Sequence, residues 1–241
     1  MSISVQNLTQ MYGSQKALDN ISFETGTNHI IGFLGPNGAG KSTTMKLLTG
    51  ILPIQSGECR ILNTDLSKDP QEAKKNIGYL PEHNPLYLDM YVQEILQYEA
   101  GIHGISNAKN RIAEVIALTG LQEEQHKKVH QLSKGYRQRV GLAMAIVHDP
   151  KVLILDEPTS GLDPNQILEI RALIQQLSQE KTVLLSTHIM QEVESVCEEI
   201  IVIDRGTIRD HFMRHEMAVK YPGKTMEEVF VHLTQPKAAK S

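Results

Sequence analysis

The stretch Gly35-Pro36-Asn37-Gly38-Ala39-Gly40-Lys41-Ser42-Thr43 decides how this chain is read. It fits the phosphate-loop pattern G-x-x-x-x-G-K-[ST] at every fixed position. The apolar run Ile30-Ile31-Gly32-Phe33-Leu34 leads into it and reads as a buried strand, and Thr44-Met45-Lys46-Leu47-Leu48 leads out as a helix. That strand–loop–helix context is what the motif requires. Glycines let the backbone curl so that successive N–H groups point into one concavity and bind phosphate oxygens. The N-terminus of the following helix adds partial positive charge. In this pattern Lys41 reaches the β- and γ-phosphates and the Ser42 hydroxyl ligates Mg²⁺. The bland alternative, a glycine-rich turn with an accidental lysine, sits poorly with the flanking strand and helix.

Further along, Val152-Leu153-Ile154-Leu155 is a continuous β-rich run, as expected for a central parallel strand buried on both faces. It ends in Asp156-Glu157, where α/β proteins place their ligands. Asp156 is a candidate Mg²⁺ ligand and Glu157 a candidate for orienting or deprotonating a water. The competing reading is that these acids cap the next helix, which Pro158 and the loop disfavour. Ile167, Ile170, Ile174 and Leu177 mark one face of an amphipathic helix. Thr182–Ser186 is the next buried strand and ends in Thr187-His188, putting His188 at the same edge as the two acids. A lone histidine is usually a surface or core residue; this placement makes a γ-phosphate contact the alternative. Ile200–Ile203 is a last core strand, and Gly206 begins a turn.

Before the phosphate loop, Ile3, Val5 and Leu8 alternate as in a strand exposed on one face. Gln10–Gly13 reads as a turn. Tyr12 is either an amphipathic aromatic at a sheet edge or a ring stacked on a base. Ile21–Glu24 and Gly57–Leu62 read as further strands, and Ile77–Leu80 as a strand stopped by Pro81. Residues 85–145 then carry helical spacing, as in Tyr91–Leu96 and Arg111–Ile116, inserted between strands of the α/β core. Residues 236–241 read as a frayed tail.

The 241 residues are enough for one large domain, and 40% hydrophobic with 22% charged residues is ordinary globular composition. A net charge of −4 gives no bulk case for nucleic-acid binding. No apolar run approaches the roughly 18 residues of a membrane span, and the N-terminus lacks the pattern of a secretory signal. Cys59 and Cys197 have no metal-ligand or redox spacing, so reduced thiols in a cytosolic setting are expected.

Leu132-Ser133-Lys134-Gly135-Tyr136-Arg137-Gln138-Arg139 resembles the signature segment of ABC-type ATPases, usually written L-S-G-G-Q. The resemblance covers nearly the whole chain. Gly35–Thr43 matches Walker A, Val152–Glu157 matches Walker B, Ser160-Gly161-Leu162-Asp163 matches the D-loop, and His188 matches the switch histidine. Tyr12 then matches the adenine-stacking aromatic. The resemblance implies a RecA-like P-loop core with an antiparallel β-subdomain and an inserted helical subdomain at about 85–145. The ATPase domain would span 1–211, with 212–241 a short C-terminal segment. It also implies ATP and Mg²⁺ as cofactors, with Ser42, Glu82 and Asp156 toward the metal. Catalysis would fall to Glu157, His188 and Lys41. Leu132, Ser133, Lys134, Gly135 and Tyr136 would face the nucleotide across a head-to-tail dimer.

The chain departs from the family pattern in places. Lys134 stands for a glycine, Tyr136 for a glutamine, and Glu82 for the usual Q-loop glutamine. These departures, with Met226–Thr234, look like the bacterial subgroup serving drug, sodium and gliding-motility exporters, and Leu132–Arg139 is closest in wording to the gliding-motility type. The expected function is an ATP-hydrolysing subunit that drives separate transmembrane permease subunits from the cytoplasmic face of the membrane. Two alternatives are an ATPase regulator of a membrane complex without transport, and a soluble nucleic-acid- or ribosome-associated ABC ATPase. The single Walker A and the lack of a basic tract weigh against the latter.

Overall fold

The computed structural model describes residues 1–235, so the tail expected to fray lies outside the described residues. In chain order the strands and α-helices are β1 (Ile3–Tyr12), β2 (Gln15–Glu24), β3 (Ile30–Leu34), α1 (Lys41–Leu48), β4 (Ser56–Ile61), β5 (Thr64–Asp65), α2 (Pro70–Lys75), β6 (Ile77–Leu80), α3 (Val92–Ile102), α4 (Ala108–Leu118) and α5 (Lys134–Ile146). They continue with β7 (Val152–Asp156), α6 (Pro164–Ser178), β8 (Thr182–Thr187), α7 (Met190–Val196), β9 (Glu199–Asp204), β10 (Thr207–Met213), α8 (Met217–Lys220) and α9 (Met226–Thr234).

Two sheets form. One runs β10-β9-β3-β8-β7-β6 and is parallel except for the β9–β10 hairpin. The other runs β2-β1-β4-β5 and is antiparallel. Every residue of β3, β7, β8 and β9 is buried. Because successive side chains of a strand point to opposite faces, these strands feed two cores. Leu34, Leu153, Leu155, Val183 and Leu185 pack with α3–α7 and α9. Ile31, Phe33, Ile154, Leu184 and Ile203 pack with α1 and the antiparallel sheet. The α/β layering follows: a sheet apolar on both faces must be covered on both.

Two local expectations change. Residues 10–12 are not a turn; β1 continues to Tyr12, and the hairpin turns at Gly13-Ser14. The start of β1 is buried on both faces rather than one, because Ser2 and Ser4 are also covered and the Ser2 hydroxyl bonds that of Thr182 at 2.7 Å. The 85–145 region is mainly helical as expected. Its α3 and α4 contribute Ile95, Leu96, Val115 and Ile116 to the same core that covers the parallel sheet. Phe212, Met226 and Val229 of the C-terminal segment join that core too. Cys59 and Cys197 are fully buried free thiols; burial pushes Cys59 up to about 12 and raises Cys197 further.

Helix α5 lies so close to β6 that a Cβ on Gly78 would stand 2.1 Å from the Ala145 carbonyl oxygen and 2.6 Å from Leu153 Cδ2. Gly78→Ala should therefore destabilise the fold by about 1–3 kcal/mol through overpacking, read as a lower urea midpoint with unchanged slope.

At the other edge, the buried Glu199 carboxylate accepts from His29 Nε2 at 2.5 Å and His211 Nε2 at 2.5 Å, tying the loop before β3 to β9 and β10. Burial alone would raise the Glu199 carboxyl, but hydrogen bonds from His211 and His29 outweigh it and bring it to about 2. The hydrogen bond to Glu199, opposed by burial, raises His29 above its ordinary value. Glu199 thus contributes stability above 4.5 that is lost as pH falls toward 2. The His29 contribution is complete below 6.5 and is lost as pH rises through its elevated value. Urea midpoints measured against pH should peak between these limits, and Glu199→Gln should flatten both limbs.

Candidate active site

The parallel strands β3, β7 and β8 end at one edge of the sheet, and a cleft of about 810 Å³ opens there. The phosphate loop forms its floor. Gly40 sits at φ 110°, a region closed to most side chains, and a Cβ there would also meet Leu18 Cδ2 at 2.7 Å. The loop thus turns directly into α1, with Lys41 as first helical residue. Lys41 Nζ donates to the carbonyls of Gly35 at 2.8 Å and Pro36 at 3.3 Å. Asn37, Gly38, Gly40, Lys41, Ser42 and Thr43 line the cleft. Gly35 and Ala39 are buried behind them, and Pro36 is half-buried. The Ala39 carbonyl accepts from Gly206 N at 2.9 Å, fastening the β9–β10 turn to the loop.

Glu157 is the meeting point of the charged groups. It follows β7 with φ 51°, a left-handed conformation that costs on the order of 1–3 kcal/mol for a residue with a side chain. Its N–H donates to the Ser186 carbonyl at 3.1 Å, so the neighbouring strand end holds it there. Its carboxylate lies 3.5 Å from Lys41 Nζ and 2.9 Å from His188 Nδ1. Glu157 and Lys41 are buried, whereas His188 is 47% exposed at the mouth. A lysine and a ring of backbone donors beside a carboxylate–imidazole pair can hold a polyphosphate and orient a water toward it.

Tyr12 reaches the same cleft from the end of β1, and Glu82 from the loop after β6. Ser42 and Glu82 offer oxygen ligands within the cleft; Asp156 is buried at the end of β7, its Oδ1 accepting the Ser186 hydroxyl. Among the described residues no group of three or more His, Cys, Asp or Glu side chains could hold a metal. A hydroxyl and isolated carboxylates nevertheless suit Mg²⁺, which takes few protein ligands and completes its shell with phosphates and water.

Ser160 of the D-loop lines the cleft, and Gly161 turns with φ 67°. Asp163 caps α6, accepting from Gln166 N at 3.0 Å, so the helix cap considered for Asp156 and Glu157 belongs to this later acid. The signature segment stays outside the cleft. Leu132 is buried in the core, Ser133 caps α5, Gly135 packs against the Gln166 side chain, and Lys134 and Tyr136 are exposed. Lys134 instead lines an adjoining recess shared with Glu82 and Ser160. Sequence reasoning missed Gln15, Lys16, Ala17 and Arg205, which line the cleft beside Tyr12. They sit at hairpins whose approach is set by packing of the two sheets, and only Gly206, as a turn residue, gave a signal.

Residues 18–160 match the family model described as ABC transporter. Over 208 residues the chain is 41% identical to the bacitracin transport ATP-binding protein BcrA of Bacillus licheniformis, an alignment covering 86% of this chain and 68% of that one. It superposes on a solved ATP-binding subunit of an ABC transporter with a TM-score of 0.88 and 27% identity, covering 98% of this chain and all of the other. The dimeric structure of MJ0796, a bacterial ABC transporter cassette, matches with a TM-score of 0.79 and 25% identity over 88% of this chain and 98% of that one. With the phosphate loop, the acid pair and the histidine gathered at one sheet edge, the chain belongs to the ABC transporter family and is one of its ATP-binding ATPases.

Proposed function

We propose that this ATPase is the ATP-binding and hydrolysing subunit of a bacterial exporter, and that closure of a head-to-tail dimer on ATP drives separate permease subunits in the membrane. The single observation that carries the reading is the separation of the two halves of the site. Lys41, Glu157 and His188 share one cleft, while Ser133 and Gly135 lie outside it, at the start of α5. A second copy turned head to tail can bring its signature to the open side of that cleft. BcrA, a relative named for bacitracin transport, supports the exporter assignment, and the dimeric cassette supports the pairing. The gliding-motility assignment finds no support in these comparisons. Among the described residues no helix is long and apolar enough to cross a membrane. The pathway is then formed by the permease subunits, with this subunit at the cytoplasmic face.

In this reading Lys41 and the loop amides neutralise phosphate charge and Tyr12 stacks on the base. Glu157 handles the attacking water while His188 holds its carboxylate and faces the γ-phosphate. Ser42, Asp156 and Glu82 would hold Mg²⁺, which supplies charge neutralisation at the phosphates. Catalysis of this kind is mainly positioning and electrostatics.

Lys41→Ala is expected to weaken ATP binding and abolish turnover without unfolding the chain, read by calorimetric titration and circular dichroism. Unchanged ATP affinity would remove the phosphate-loop assignment. Glu157→Gln keeps the binding groups and should lose on the order of 10²–10⁴ in hydrolysis rate. Because ATP persists in that variant, it should elute as a dimer from a sizing column with ATP and as a monomer without it. A monomer at saturating ATP would count against the shared site.

A further inference from the structure

Beyond Asp156 and Ser186, where the β7–β8 ladder ends, the main chain joins the two catalytic loops only through the Glu157 N–H to Ser186. A buried side chain spans the gap below. Glu192, in the first turn of α7, is 1% exposed. Its Oε1 accepts the Thr159 hydroxyl and its Oε2 accepts the Thr187 hydroxyl at 2.5 Å. Thr159 lies two residues after Glu157 and directly before Ser160; Thr187 directly precedes His188. Both threonines are buried, so water does not compete for them. Thr187 Oγ1 also accepts from Ile189 N at 3.0 Å, fixing the entry to α7, and Arg171 of α6 approaches Glu192 Oε1 at 3.8 Å.

We propose that Glu192 is a positioning residue: one carboxylate, with its two oxygens at a fixed separation, locks the Glu157 loop and the His188 loop to each other. The inference rests on the roles proposed above for Glu157 and His188. The chemistry of the lock follows from its geometry. A carboxylate is rigid and planar, so two hydroxyls bound to opposite oxygens cannot drift apart without breaking a buried hydrogen bond. The 2.9 Å contact between His188 and Glu157 stands at the tips of the loops so clamped. Gln138 of α5 steadies the same segment, donating to the Pro158 carbonyl at 2.8 Å. The hydrogen bonds of Glu192 go to neither the phosphate loop nor Tyr12, so its removal acts on turnover rather than on nucleotide affinity.

The test measures kcat and KM for ATP in the full chain. Glu192→Met removes both acceptors at similar volume and should lower kcat by about 10²-fold, the scale of an ångström of misplacement, with KM unchanged. Thr159→Val and Thr187→Val each remove one arm and should lower kcat by less, and Thr159→Ser and Thr187→Ser, which keep the hydroxyl, should restore it. A folded Glu192→Met enzyme with wild-type kcat would overturn the proposal, as would a loss confined to KM. Should Glu192→Met fail to fold, the threonine variants decide: losses in kcat rescued by serine support the lock, and wild-type rates in both valine variants overturn it. Glu157→Gln run alongside separates the two readings. Full activity there would defeat the site assignment itself, whereas inactivity there with a fully active Glu192→Met would defeat the lock alone.

Discussion

The burial of β3, β7, β8 and β9 on both faces constrains everything else in this molecule. A strand with no solvent-facing side leaves polar chemistry only its ends. Parallel pairing then collects the carboxyl ends of three of these strands along one edge. The phosphate loop, the Asp156-Glu157 pair and Thr187-His188 are close in space because each begins where an apolar run stops. The helices on one face and the antiparallel sheet on the other satisfy the same requirement from opposite sides.

The site is also held under tension. Glu157 combines an unfavourable backbone angle with burial beside a lysine and an imidazole. Such a residue stays in place only if its surroundings over-determine it. The Ser186 carbonyl, the β7–β8 ladder, Gln138 and the hydroxyls gathered by Glu192 supply those constraints from different elements. A carboxylate placed this way needs little reorganisation when charge develops nearby, which is the condition for electrostatic catalysis.

Much of this was legible in the sequence because the informative residues are local. A glycine-rich loop between an apolar run and a helix, or two acids after Val152–Leu155, carries its structural context within a few positions. What escaped was set by distant packing. Gln15, Lys16, Ala17 and Arg205 reach the cleft because the β9–β10 turn is bonded to both Ala39 and Asp19. Apart from the turn residue Gly206 beside Arg205, nothing in their own neighbourhoods marks that approach. Gln10–Tyr12 read as part of a turn because Gly13 follows them; the ladder with β2 carries the strand through all three residues, up to the glycine. Glu192 is an acid in a short helix, indistinguishable by pattern from a solvated one, and only the fold reveals that it is buried.

The two cysteines have a practical consequence. The thiolate is the form that attacks thiol reagents, and both Cys59 and Cys197 are sealed in the interior with ionisation suppressed by burial. They lie in different cores, Cys59 on the buried face of the antiparallel sheet and Cys197 among the helices. The natural chain is therefore chemically silent toward maleimides while folded. Each layer carries its own internal clock of opening, since modification at either position reports exposure of that layer alone. A cysteine introduced on the surface would be the sole labelling point, with no need to strip the native ones first.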